Sequence, residues 1–196
     1  MKTDYNKLFL ECAKNSAGKL KLLLHACCAP CATHCLKKTD GDFITDLYFY
    51  NPNITLESEF IKRLNELKKY VLLNHKGVSV IETSHLSSDF YSVVAGLENE
   101  PERGKRCYIC YKLRLEKTAQ TARELNYDYF ATTLTLSPHK NAEWINEIGF
   151  ELEKKYGVKY LPSDFKKENG YLNSIKLSKE NGLYRQNYCG CEYSKK

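Results

Sequence analysis

Apolar positions along the chain follow two spacings in turn: short unbroken runs, and recurrences every three or four residues. Tyr5 to Lys14 has Leu8 and Cys12 at helical spacing and predicts a short amphipathic helix. Lys19 to His25 is an unbroken run and reads as a buried strand. Ile44 to Tyr50 is a second strand, ended by the turn Asn51-Pro52-Asn53. Between Thr55 and Asn74, Phe60, Leu64, Leu67 and Val71 recur with Lys and Glu between them, predicting a helix that Gly77 closes. Val78 to Glu82 is a third strand, and a short helix capped by Ser88-Asp89 runs to Ala95. A charged loop, Glu98 to Arg106, feeds a long helix from Cys107 to Asn126 with Leu115, Ala119, Ala122 and Leu125 on its apolar side. Tyr129 to Leu136 reads as a fourth strand stopped by Ser137-Pro138. Asn141 opens a helix carrying Ile145, Ile148 and Leu152, Val158 to Leu161 is a fifth strand, and Gly170 to Asn181 is helical with Gly182 as its stop.

Strands alternating with helices of this length predict an α/β fold: a parallel sheet of about five strands with helices on both faces. The expected organisation is a single domain over residues 1–196, with a helical extension over 1–18 and a cysteine-bearing tail over 183–196. Such sheets bind ligands at the carboxyl ends of their strands. Cys27 and Cys28 after the first strand, Asn51-Pro52-Asn53 after the second, and Ser137 to Asn141 after the fourth would therefore share one edge.

Composition narrows the class. With 42% hydrophobic residues, ten Gly and five Pro in 196 residues, the chain has the makings of a substantial core. Lys plus Arg exceed Asp plus Glu by 30 to 24, a formal +6 that suits a polyanionic partner without establishing one. The amino terminus lacks the apolar centre of a signal peptide and no long apolar run follows, so a cytoplasmic protein without membrane contact is expected. In that setting nine cysteines, an odd number, favour metal or thiol chemistry over a disulfide framework.

The cysteines fall into groups: Cys27, Cys28, Cys31 and Cys35; Cys107 and Cys110; Cys189 and Cys191. Arg103, Lys105 and Arg106 precede Cys107, and a helix begins there, both of which favour thiolates. Four thiolates satisfy a structural zinc or a [4Fe-4S] cluster. The spacing is not that of a zinc ribbon, adjacent Cys27-Cys28 is unusual for zinc, and with Cys31 there are more thiols than one four-coordinate centre needs. The surplus points to a second metal or to thiols acting in catalysis. Cys12 and Cys35 read as buried thiols, and His25 and His34 as residues that more often satisfy backbone groups than act chemically.

Leu24-His-Ala-Cys-Cys-Ala-Pro-Cys31, Asn51-Pro-Asn-Ile54, Arg106-Cys-Tyr-Ile-Cys110, Thr132-Thr-Leu-Thr-Leu-Ser-Pro-His-Lys-Asn141 and Tyr184-Arg-Gln-Asn-Tyr-Cys-Gly-Cys191, in that order, resemble the cobalamin-independent epoxyqueuosine reductase family QueH. The resemblance spans nearly everything after Lys19 and implies a fold similar to the adenine-nucleotide hydrolase-like (HUP) superfamily, although no phosphate-gripping glycine loop follows the first strand. It implies two-electron reduction of the epoxide of epoxyqueuosine at the wobble position of tRNAs for Tyr, His, Asn and Asp, the last step of queuosine synthesis. It also implies an external low-potential electron donor. Family cysteines map onto Cys27, Cys28, Cys107, Cys110, Cys189 and Cys191 as cluster ligands, with Cys31 as a further iron ligand. An additional iron ion beside a [4Fe-4S] cluster would employ the surplus thiols. His139, His25 and Tyr188 are the candidate proton donors; Lys105, Arg106, Lys140 and Arg185 are the candidate tRNA contacts, with Tyr108, Tyr111, Tyr184 and Tyr188 as flat surfaces beside them. Two other classes share these features: an iron-sulfur tRNA sulfurtransferase, which would need ATP and hence the missing phosphate loop, and a zinc-stabilised RNA-binding module.

Overall fold

A computed structural model describes residues 3–16 and 19–195. The boundary of the amino-terminal extension at residue 18 and the last residue of the tail, 196, lie outside the described residues. The extension is the helix α1 (Tyr5–Ser16). Five parallel strands follow, β1 (Lys21–His25), β2 (Ile44–Phe49), β3 (Val80–Glu82), β4 (Tyr129–Thr132) and β5 (Lys159–Tyr160), side by side in the order β3-β2-β1-β4-β5. Between and around them run α2 (Ala29–Thr39), α3 (Glu57–Asn74), α4 (Ser87–Val94), α5 (Lys105–Glu124), α6 (Ala142–Tyr156) and α7 (Gly170–Glu180).

The period of two along a strand explains how both faces are covered. Leu22 and Leu24 of β1 pack with Leu47, Phe49 and Ala131 under α2 and α3, whereas Leu23 points the other way, with Tyr48 and Phe130, onto Leu115, Ala119, Ile145 and Ile148 of α5 and α6. Gly149 makes the second layer thin enough: a methyl group there would stand 2.4 Å from the Tyr160 ring. Asn141 caps α6 by accepting hydrogen bonds from the amides of Glu143 and Trp144, as its position in the sequence suggests.

The first, third and fifth strands are shorter than expected by one or two residues at an end, the short helix starts at Ser87 without a side-chain cap, and two further differences bear on the site. The fourth strand ends at Thr132 and not Leu136, because the Thr132 hydroxyl accepts from the Leu134 amide and turns residues Thr133–Leu136 into a 3₁₀ segment. The helix expected from Cys107 begins two residues earlier, at Lys105, so that both its cysteines lie inside its first two turns. Strand β1 has β2 on one side and β4 on the other, and the chain winds away in opposite senses from that point. The crevice where it does so is the fold's natural ligand site.

Candidate metal centre

Local structure carries each thiol to that crevice. β1 ends at His25, and α2 starts within the next few residues with Pro30 in its first turn, so Cys27, Cys28 and Cys31 gather at the helix amino terminus. Their sulfur atoms all lie within 4.8 Å of one another, and those of Cys27 and Cys28 are 3.7 Å apart. Hydrogen bonds from Cys28 and Cys31 hold the Cys27 thiol well below its usual range against the opposing effect of burial, and the Thr133 hydroxyl lies 3.8 Å from its sulfur. The same sharing pushes Cys28 up to about 12.

Cys107 and Cys110, at the amino-terminal end of α5, form a second group with the tail. Cys107, Cys110, Cys189 and Cys191 line one small pocket backed by Phe90. Burial raises Cys110 to about 12 and Cys191 to about 11. The tail is held there by residues far away in sequence. Arg63 of α3, 2% exposed, pairs with Glu59 at 2.6 Å and donates to the backbone carbonyls of Cys189 at 3.0 Å and Tyr188 at 3.4 Å. The Thr55 amide donates to the Gly190 carbonyl, and Asn51 donates to the Ala26 carbonyl at 2.9 Å, joining the loops after β1 and β2. Gly190 has φ +111°, and a methyl group on it would come within 2.9 Å of Ile54, so this turn requires glycine.

A larger cavity of about 680 Å³ opens beside the two groups, with Cys27, Cys31 and Cys189 in its wall. Arg63, Arg114, Lys140, Arg185 and Lys195 also line it, against one carboxylate, Glu102. Burial opposes the charge of Lys140, but the nearby thiols of Cys189 and Cys27 outweigh it and hold the ammonium firmly protonated. Three thiols at the amino terminus of α2, two at that of α5 and two from the tail, with basic neighbours, form a donor set that fits sulfur-preferring metal centres. Cys27 and Cys28 form a close triad with Cys31, while Cys107, Cys110, Cys189 and Cys191 line the small pocket, and Cys27, Cys31 and Cys189 meet in the wall of the larger cavity. Cys35 is fully buried in the core, as expected, whereas Cys12 is only partly buried and packs against the edge of that core.

Other expected site residues divide. His139 and Tyr188 line the large cavity. His25 does not fit a proton donor: it is fully buried, and both ring nitrogens are occupied. The Tyr50 carbonyl only accepts, so Nε2 carries the proton at 3.1 Å, and the Thr132 hydroxyl donates to Nδ1 at 2.9 Å. Burial and then Arg114 lower its pKa to about 4. Arg106 is not a surface cation either. At 2% exposure it donates to the carbonyls of Leu97, Glu98 and Glu100 and packs on Tyr193, tying down the charged loop. Lys105 and Arg185 are exposed, while Lys140 faces the thiols from inside. Tyr111 is a core residue and Tyr108 packs edge-on to Trp144. Arg63 and Arg114 belong to the site, yet no sequence motif marks them, and Gln186 lies within the tail motif without being singled out there; only the pairing of a buried cation with a distant backbone reveals Arg63.

The chain matches the family described as "Epoxyqueuosine reductase QueH" over residues 22–196. It is 42% identical to an epoxyqueuosine reductase QueH of Streptococcus pyogenes, the match covering 100% of this chain and 79% of that protein. With the proteins of the same name from Staphylococcus epidermidis and Thermotoga maritima it shares 44% identity (98% of this chain, 85% of that one) and 40% (88% and 89%). Among solved structures it is similar to the U34-tRNA thiolase NcsA from Methanococcus maripaludis with its [4Fe-4S] cluster. That likeness has a TM-score of 0.56 and 14% identity, covers 97% of this chain and 68% of the other, and concerns the fold alone.

Proposed function

We infer how this site works from the premise that the chain belongs to the epoxyqueuosine reductase QueH family. It is an oxidoreductase that reduces epoxyqueuosine to queuosine in tRNA, consuming two electrons and two protons per epoxide and releasing water. The observation that supports a reading of the site is the division of its thiols into a four and a three across one cavity.

Cys107, Cys110, Cys189 and Cys191 are the proposed holders of a [4Fe-4S] cluster, and Cys27, Cys28 and Cys31 of an additional iron ion. When bound, the cluster supplies electrons and the iron a Lewis acid for the epoxide oxygen. The chain's own contribution is placement. Arg63 fixes the carbonyls beside Cys189 and thereby the reach of the tail. His139 and Tyr188, in the cavity wall, are the proposed proton donors to the departing oxygen. Lys140 and Arg114 keep positive charge facing the thiols, which favours thiolates and an anionic reaction site. Exposed Lys105 and Arg185 are the proposed phosphate contacts at the rim, on tRNAs for Tyr, His, Asn and Asp.

Two measurements test this. Nucleoside analysis of tRNA from a strain lacking other epoxyqueuosine reductases is expected to show queuosine only when this gene is present; persisting epoxyqueuosine would refute the activity. Anaerobically purified protein is expected to carry more iron than one four-iron cluster holds, and a Cys31→Ala variant to lose only the excess. An unchanged iron content in that variant would remove the second metal from the scheme.

A further inference from the structure

Two buried polar atoms in the wall of the large cavity have no partner, and they are of opposite kinds. Arg114 sits on α5 one turn after Cys110, 1% exposed. Its Nε donates to the Cys110 carbonyl at 3.2 Å, its guanidinium lies 5.8 Å from the Tyr111 ring, and among the described residues no carboxylate is within ion-pair distance. Its Nη2 is left as a donor without an acceptor. Gln186, on the tail between Arg185 and the Cys189 turn, has a buried Oε1 without a donor. Both residues line the cavity that also presents Cys27 and Cys31. Buried polar groups are nearly always satisfied, and an unpaired guanidinium donor is among the least tolerable exceptions. A donor and an acceptor left open beside the reactive thiols are therefore better explained by a ligand than by packing.

Resting on the reductase reading above, we propose that Arg114 and Gln186 form the subsite that reads the oxygens of the substrate's epoxycyclopentanediol ring, Arg114 donating to the epoxide oxygen and Gln186 accepting from a ring hydroxyl. The chemistry matches on each side. An epoxide oxygen only accepts, and a permanently charged donor grips it harder as the C–O bond opens and negative charge gathers there. A hydroxyl offers a proton, which a neutral amide oxygen accepts without adding another anion next to seven thiols. The pair would distinguish the mature ring from a 7-deazaguanine that bears only an aminomethyl arm, a base with neither oxygen.

The test uses holoenzyme prepared without oxygen and two anticodon stem-loop RNAs, one carrying epoxyqueuosine and the other 7-aminomethyl-7-deazaguanosine at the wobble position. Wild type is expected to bind the first about tenfold tighter or more, the worth of a charge-assisted hydrogen bond. Arg114→Met and Gln186→Leu are each expected to cut that ratio severalfold at wild-type affinity for the aminomethyl RNA, with iron and sulfide content measured alongside because Arg114 also faces the thiols. A variant that retains its metal and keeps the wild-type ratio overturns the assignment for that residue. Should Arg114→Met lose metal, Arg114→Lys decides, because it retains the charge but not the fork: normal metal with a reduced ratio supports the subsite, and metal loss or an unchanged ratio overturns it. If wild type itself neither prefers nor converts the epoxide RNA, the reductase reading fails, an outcome distinct from all of these.

Discussion

Arg63 and His25 show how much of this site's chemistry is support. The Arg63 guanidinium is buried, paired with Glu59, and spends two further donors on the carbonyls that precede Gly190. Truncating it leaves Glu59 without its cation and the tail without its anchor, so Arg63→Ala is expected to cost about 3–5 kcal/mol in a denaturant titration. It should also lower iron and sulfide per chain. A stable variant with full iron content would show that the tail finds its place unaided. His25 differs from His139 in the same way that a tie differs from a tool. With both nitrogens bonded in a fully buried setting, His25→Ala is expected to cost about 1–3 kcal/mol through unsatisfied partners. His139, exposed on the cavity wall and held through its backbone by Ser137 and Arg103, is expected to leave the melting temperature unchanged when replaced by Ala. If it donates a proton, His139→Ala lowers kcat about 10²-fold or more while RNA affinity stays constant; an unaltered kcat leaves Tyr188 as the donor.

At the scale of elements, the motifs work because short turns place them. Gly190 is the sharpest case, since Gly190→Ala would force a side chain at φ +111° against Ile54 and Arg63. The expected result is about 1–3 kcal/mol of strain, relieved by a shift of the tail that carries Cys189 and Cys191 out of register with Cys107 and Cys110. Cluster absorbance should fall while far-ultraviolet circular dichroism stays the same; full absorbance would mean that the turn tolerates the strain. Much of this was legible beforehand. Alternating runs and periodic helices predict the five parallel strands, and strand ends at Cys27, Asn51 and Ser137 predict one shared edge, because period and turn chemistry are local properties. What failed to show was the choice of partner made by individual side chains, which no period records. The conversion of Thr133–Leu136 from strand to 3₁₀ segment depends on one threonine hydroxyl, and the burial of Arg106 on three carbonyls six to nine residues before it. In a linear sequence, an arginine before a cysteine motif looks the same whether it points to solvent or folds back on its own loop. Arg114 is a heavier loss: it lies within a helix whose period is set by Leu115 and Ala119, and only the three-dimensional cavity shows that its guanidinium end meets the thiols.

For the molecule as a whole, the modest +6 matters less than where the charge lies. Five cations and one carboxylate line the cavity, and Lys105 stands exposed at the start of α5, so the mouth of the site is an attractive region for a phosphate backbone. Not every cation there contributes equally. Phosphate contacts release counterions, and each one lost reduces the slope of log affinity against log salt by about 0.9 or less. Arg185, exposed and tethered by Ser178, and Lys105 have the freedom to make such contacts. Arg106 has already committed its guanidinium to the backbone of residues 97–100. Titrating tRNA over a range of salt concentrations is therefore expected to separate them. Lys105→Ala and Arg185→Ala should each flatten the slope by close to one contact with iron content intact, while Arg106→Ala should leave the slope alone and instead lower the melting temperature as the loop before Cys107 loosens. Equal slopes for wild type and both exposed variants would move the tRNA footprint away from this rim, and a flattened slope in Arg106→Ala would mean that the loop opens to present its arginine when RNA binds.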